Sequence, residues 1–314
     1  MTSKPKGAKN KTLRVFIVIF ALGVVVSGYF VYREFSVYKA GNDAYDDLRQ
    51  FVDSPDTNKS ESDSANPGNT DTGDGSDRDI RLQYESYAPD DPAANNKTDA
   101  LSENDSSNET DTSGDANFSG APNTWPIVDF DGLKGINSDV AAWLRCPGTA
   151  IDYPVVYGED NEYYLDHLVS GTQNKAGSLF IDCRNAPDFS FRNTIIYGHN
   201  MRNGSMFRII TQFGNQSFFN THPFMYLVMP NGDCFYIELF AAFTSSVNED
   251  AWKVDFYDNE EFESWLEWVN HKSVVKSNVQ VNADDRVVTF STCSYSFNNA
   301  RFIAVGKLSP YISR

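Results

Sequence analysis

The alternation of apolar and polar positions divides the chain into five stretches. Residues 1–14 are polar and basic, with Lys4, Lys6, Lys9, Lys11 and Arg14. Val15 to Tyr32 is then an apolar run of 18 residues without a charge. As a helix it spans about 27 Å, close to the ~30 Å hydrocarbon core of a bilayer, which predicts a transmembrane segment over 15–32. In residues 33–52, Tyr38, Tyr45, Leu48 and Val52 recur at helical spacing. That predicts a short amphipathic helix, Glu34 to Val52, which either continues the apolar one or docks on a later domain. From Asp53 to Thr124 the chain is rich in Asp, Asn, Ser, Thr and Gly, with few apolar residues outside Ile80 to Tyr87. Such a segment buries too little surface to offset its ordering entropy, so residues 53–124 are predicted to be disordered.

The apolar pattern of a folded domain resumes at Trp125 and runs to residue 314. About 190 residues are enough for one domain with a sizeable core. Leu133, Ile136, Val140 and Trp143 fall at helical spacing, predicting an opening helix in Trp125 to Trp143 with Asn137 or Ser138 as its cap. Short strand-like runs follow at Ile151–Tyr157, Ser178–Asp182, Asn193–Tyr197, Phe224–Met229 and Cys234–Ser245, divided by Gly, Asn, Asp and Pro. The last pair occupies Arg286 to Leu308, split by the polar loop Ser294–Ala300. Strands of this length predict a mainly β domain, a barrel or a sandwich, not a doubly wound sheet. Glu260 to His271 interrupts them, with Phe262, Trp265, Leu266 and Val269 on one helical face.

Charge adds a compartment. The formal net charge is −17, and residues 53–124 hold 17 acidic against 4 basic residues, so most of the imbalance belongs to that segment. No basic stripe of the kind nucleic acid requires follows the N-terminus. A cleaved secretory signal is the alternative to an anchor, but the run is long for a signal core and no small-x-small site precedes Arg33. Basic residues ahead of the run place the N-terminus inside and everything from Arg33 onward outside the membrane. The acidic segment then reads as a spacer that lifts the domain off the membrane, or as solvated filler of no set length.

The candidate chemistry sits in the last strand pair. If the two runs pair antiparallel, Cys293 and Arg301 share one sheet edge, a thiol beside a permanently charged guanidinium. Of the four histidines, His199 follows the strand-like Thr194–Tyr197 and Gly198, and so also falls at a strand end. His222 before Pro223 and His271 at the end of the charged helix read as solvated surface. An ordinary thiol is only a few per cent ionised at neutral pH, and making it mostly thiolate takes roughly 3 kcal/mol, which a neighbouring imidazolium or guanidinium can supply. In acyl transfer His199 would also protonate a leaving amine, and Arg301 would bind the oxyanion. Cys146, Cys183 and Cys234 read as buried small hydrophobes, and their spacings give no disulfide framework. No CxxC or HxxxH supports zinc, so no metal or cofactor is expected.

These residues carry a resemblance. Thr289-Phe290-Ser291-Thr292-Cys293 with Arg301 eight residues on resembles the TLxTC signature and trailing arginine of sortases, the cysteine transpeptidases of Gram-positive bacteria. Phe290 replaces the usual Leu. Asn193 to Met201, then Gly204-Ser205-Met206-Phe207, is similar to the histidine motif of class B sortases. Ile151–Val156, Asn161–Leu165, Ala176–Asp182 and the helix before the last strand pair also resemble that class. The resemblance covers Trp125 onward and not the acidic segment. It implies a closed β-barrel with peripheral helices. It implies that Cys293 attacks the Thr carbonyl of an NPxTx-like sorting signal near the C-terminus of a secreted protein. A peptidoglycan precursor or cross-bridge amine would then resolve the thioacyl enzyme. His199 is implied as acid/base, Arg301 as oxyanion partner, and Tyr197, Ser291, Asn161 and Leu165 as the peptide groove. Ser294 stands where some relatives have an acidic residue.

Two other readings compete. A papain-like secreted protease would place its cysteine early, on a helix, with histidine downstream; here the order is reversed. A non-catalytic adhesin or pilus subunit on a stalk would need neither Cys293 nor His199 and would carry a sorting signal, whereas Ser313-Arg314 follows no apolar tail.

Overall fold

The computed structural model describes residues 8–53, 125–294 and 296–311. The acidic segment therefore lies outside the described residues from 54 to 124, and its predicted disorder with it. Its two flanks, however, are described and paired. β1 (Val52–Asp53) runs antiparallel to β2 (Ile127–Val128), with Val52 opposite Val128 and Asp53 opposite Ile127. The segment leaves and returns at one short ladder.

The N-terminal apolar run and the amphipathic stretch form one helix, α1 (Ala8–Leu48), followed by a 3-10 turn at Arg49–Phe51. Helix ends at Leu48 and strand begins at Val52, so the helix stops short of the expected end at Val52. Among the described residues α1 is the one helix long and apolar enough to cross a membrane, and its apolar window is unburied. Its later part packs on the domain: Gly41, Tyr45 and Leu48, at helical spacing, are buried. α1 thus carries the apolar run directly to the barrel, and the spacer role expected of residues 53–124 falls outside the described residues.

The opening of the domain corrects the sequence expectation. α2 (Phe130–Ile136) is a short helix capped by Asp129, whose carboxylate accepts from Gly132 N–H; Asn137 ends it and does not begin one. Val140 and Trp143 belong instead to β3 (Val140–Arg145). Helical spacing misled here because the Asn137 side chain folds the chain back, accepting from Asp139 N–H at 2.8 Å and donating to Tyr164 and Val169. β3 then lies almost wholly buried between two partner strands, so it shows no two-residue alternation.

The remaining strands are β4 (Asp152–Tyr157), β5 (Leu179–Ile181), β6 (Asn193–Tyr197), β7 (Phe224–Val228), β8 (Cys234–Ser246), β9 (Arg286–Cys293) and β10 (Ala300–Pro310). With β3 they close a barrel in the order β10-β8-β7-β3-β4-β5-β6-β9, which excludes the sandwich. The ladders β4·β5 and β6·β9 are parallel and the others antiparallel. Alternation along β9 divides the core. Val288 and Phe290 join the cluster inside the barrel, while Val287 joins one beneath α4 (Asn259–Lys272) with Ile303 and Val305 of β10. α4 is the helix expected at Glu260–His271, capped by Asp258. Its Phe262, Trp265, Leu266 and Val269 are buried, each worth roughly 1.5–3 kcal/mol relative to exposure. A short α3 (Gln216–Thr221) precedes β7.

Candidate active site

The hairpin β9–β10 pairs in the register that sets Arg301 directly opposite Cys293. The loop between them closes through Ser294 N–H donating to Ala300 O at 2.9 Å. On its other edge β9 runs parallel to β6, with Ser291 level with Tyr197 and Gly198 N–H donating to Ser291 O at 3.2 Å. Just past the end of that ladder Asn200, the residue after His199, donates to Cys293 O, so the turn that carries His199 lies against the cysteine strand end. The three chemistry-bearing residues thus emerge from adjacent strand ends at one mouth of the barrel, all partly exposed.

The turn that carries His199 is built to hold it. A Cβ at Gly198 would lie 2.4 Å from the Leu179 side chain and 2.6 Å from that of Phe207, so only glycine fits. Phe207 N–H donates to His199 O at 2.9 Å, and Met206 N–H donates to the Tyr153 hydroxyl at 3.1 Å. Asn200, which is buried, donates from Nδ2 to Cys293 O at 2.7 Å and accepts from Arg208 at 3.1 Å. The histidine turn and the cysteine strand end are therefore bonded to each other. His199 Nε2 lies 2.6 Å from Leu165 O. A carbonyl only accepts, so Nε2 carries a proton and Nδ1 is the nitrogen left for proton exchange. Arg301 donates to Ala300 O at 3.1 Å with one nitrogen.

The four residues expected to form the groove differ in exposure and in hydrogen-bond partners. Leu165 and Tyr163 are exposed apolar side chains on the segment whose carbonyl holds His199. Ser291 is buried and accepts from Trp252 Nε1 at 3.0 Å. Tyr197 donates its hydroxyl to Asp182 at 2.8 Å. Asn161 does not present its carbonyl oxygen to a groove; that atom accepts from Cys183 N–H at 2.8 Å.

Beneath them lies a polar frame that sequence reasoning did not single out. The Asp182 carboxylate is fully buried and receives Arg184 through Nε at 2.9 Å, a terminal nitrogen at 2.7 Å, and the backbone N–H at 3.0 Å. Burial alone would raise its pKa, but these donors and the Tyr197 hydroxyl outweigh that and bring it to about 2. Burial first, and then the Asp182 charge, push Tyr197 upward, so its hydroxyl remains a donor. Arg184 also donates to Trp252 O at 3.0 Å, which fastens the loop between β8 and α4 over the outer face of β9. Asp182 and Asn200 did stand within the class B-like stretches; Arg184 and Trp252 carried no sequence signal.

All four cysteines are free. Cys146 is buried as expected, whereas Cys183 and Cys234 are partly exposed. His222 is half-buried and stacks on Phe218 at 4.1 Å, and is not simply solvated. Among the described residues no group of His, Cys, Asp and Glu is arranged to hold a metal ion.

No family model matches the chain. Sortase B of Listeria monocytogenes is 38% identical over 180 residues, 56% of this chain and 72% of that protein. The chain belongs to the sortase B family. Sortase B of Staphylococcus aureus is 31% identical over 181 residues, covering 57% of this chain and 74% of that protein. Among solved structures, the Staphylococcus aureus sortase B–substrate complex matches with a TM-score of 0.56 at 30% identity, covering 58% of this chain and 85% of that one. A sortase B complexed with triglycine gives 0.55 at 30% identity, covering 58% and 86%. The protein is thus a cysteine transpeptidase on a sortase barrel, which disposes of the papain-like and non-catalytic readings.

Proposed function

We propose that this sortase B-family enzyme cleaves an NPxTx-like sorting signal near the C-terminus of secreted proteins and joins the new carboxyl end to a peptidoglycan amine. The observation that carries the site assignment is the convergence of Cys293, Arg301 and the His199 turn at adjacent strand ends. Cys293 Sγ attacks the Thr carbonyl carbon, and the carbonyl π electrons move to oxygen, where the Arg301 guanidinium donates to the oxyanion. Collapse breaks the C–N bond, and His199 gives its proton to the departing amine. The resulting thioester is attacked by the acceptor amine; His199 takes that amine's proton and the Cys293 thiolate leaves. Asn200 and the Leu165 carbonyl keep the imidazole aimed through these steps. Tyr197 and Leu165 line the peptide groove, while Ser291, buried and bonded to Trp252, and Asn161, which fixes the Cys183 backbone, shape it from beneath. The substrate complex of the Staphylococcus aureus relative and the triglycine complex support the two halves of the reaction.

Residues 15–32 cross the membrane in this reading, with the basic residues 1–14 cytoplasmic and the barrel outside. The test is a fluorogenic NPxTx-type peptide incubated with the enzyme, with and without triglycine. The expected products are a triglycine conjugate in its presence and hydrolysed peptide alone in its absence, both lost in Cys293→Ala. Cleavage that never yields a conjugate would reduce the activity to proteolysis.

A further inference from the structure

Across the outer face of the barrel the two ladders of β10 set three side chains in one row. Arg301 lies opposite Cys293 on β9 and opposite Ser245 on β8. Directly opposed residues of an antiparallel pair share a face, with Cβ atoms about 5 Å apart. Two residues further along the same ladders, Ile303 and Phe243 belong to the cluster beneath α4, and Ser291 opposite Ile303 is bonded to Trp252, which marks this face as the outer one. Arg301 therefore stands between the thiol on one side and Ser245 on the other.

Ser245 is fully buried, whereas Cys293 and Arg301 are partly exposed. Its hydroxyl donates to Glu249 Oε2 at 2.7 Å; Ser246 O, at 3.2 Å, is the weaker acceptor. The same carboxylate accepts from Ser246 N–H at 3.1 Å and, through Oε1, from Lys272 of α4 at 2.6 Å. Lys272 first, and then Ser245, hold the Glu249 carboxyl below its usual range, so it is ionised at neutral pH. A hydroxyl has a single proton to give. With that proton committed to Glu249, Ser245 Oγ is left as an acceptor. Its neighbour in the row is a guanidinium, which offers only donors, and one of these donates to Ala300 O.

We propose that Ser245, polarised by Glu249, is the rear support of Arg301: its oxygen takes one edge of the guanidinium so that another edge meets the oxyanion at Cys293. Ser245 and Glu249 are positioning residues, and the inference rests on Arg301 being the oxyanion partner. An arginine side chain is long and rotamer-rich, so a fixed acceptor behind it orders the guanidinium before the transition state forms. Because Lys272 already pairs with Glu249, the carboxylate polarises the serine without drawing the guanidinium away from the substrate.

The test is the rate of acyl-enzyme formation, read by intact mass after acid quenching, with the full chain in excess over an NPxTx-type peptide. Ser245→Ala removes the acceptor yet leaves the Glu249 bonds to Ser246 N–H and Lys272 in place. It is expected to slow acylation at saturating enzyme about tenfold, less than the roughly 100- to 1000-fold of losing an oxyanion donor outright. The half-saturating concentration and the melting temperature should stay near wild type. In an Arg301→Ala background the same substitution should change nothing, since a residue that acts through Arg301 has no further effect once Arg301 is gone. Glu249→Gln, of nearly the same shape, repeats the cycle should Ser245→Ala fold poorly. A wild-type acylation rate in the single variants, or an equal loss with and without Arg301, overturns the proposal. Arg301→Ala that acylates as fast as wild type would instead bring down the oxyanion assignment beneath it.

Discussion

Asp182 shows how a buried charge supports a site made for another residue. Its carboxylate touches neither Cys293 nor His199 in the bonds it makes, yet it orients Tyr197 and, through Arg184, fastens Trp252 to the cysteine strand. The sign of its linkage is definite. Its folded pKa of about 2 is below the ordinary aspartate value of about 3.9, so it stabilises the fold above pH 4. That contribution, on the order of 2 kcal/mol, is lost as pH falls from about 4 through about 2. Thermal melts of Asp182→Asn should therefore lie below wild type at pH 7 and converge with it near pH 2. A constant gap across that range would mean the carboxylate is not held ionised by Arg184. At this scale the sequence singled out the candidate reactive residues and was silent about the polar frame beneath them. Cys293, His199 and Arg301 stand in recognisable contexts, whereas Arg184 and Trp252 act through tertiary contacts between distant segments.

The elements that place the site are the parallel pair β6·β9 and the hairpin β9–β10, and the turn after β6 tolerates the least change. Gly198 sits where the chain passes between Leu179 and Phe207. Gly198→Ala should cost about 1–3 kcal/mol by overpacking. It should also lower peptide turnover further than the fraction unfolded accounts for, because His199 is the next residue. Equal activity with an unshifted melting temperature would show that the turn has room. Element prediction succeeded where one face alone is buried, as in α4, and where β-branched residues are bounded by turns, as in β6. It failed at Val140–Arg145, a strand buried on both sides whose apolar residues happened to match helical spacing. Helical spacing outweighed the local turn that Asn137 makes by accepting from Asp139 N–H, and the two partners that receive its amide lie 27 and 32 residues away, beyond the reach of propensity.

Across the whole molecule, the apolar helix runs without a break into its docked extension on the barrel, and the acidic segment begins and ends at one ladder beside them. Sequence alone left open whether the amphipathic stretch continues the apolar run or docks on the domain, and one helix does both. Composition marked off the acidic stretch but carried no information on the pairing of its ends, which depends on two short strands of two residues each. Replacing residues 54–124 by a short turn between β1 and β2 should leave free-peptide cleavage and the melting temperature of the barrel unchanged. A large loss of either would assign the segment a role in the fold.

That Cys293 is the acyl-transfer nucleophile is tested most directly by intact-mass spectrometry of the enzyme quenched in acid during turnover of an NPxTx-type peptide. The expected adduct equals the acyl fragment ending at Thr, maps to the peptide containing Cys293 and disappears on adding triglycine. Cleavage without an adduct at Cys293, or retained by Cys293→Ala, would contradict it.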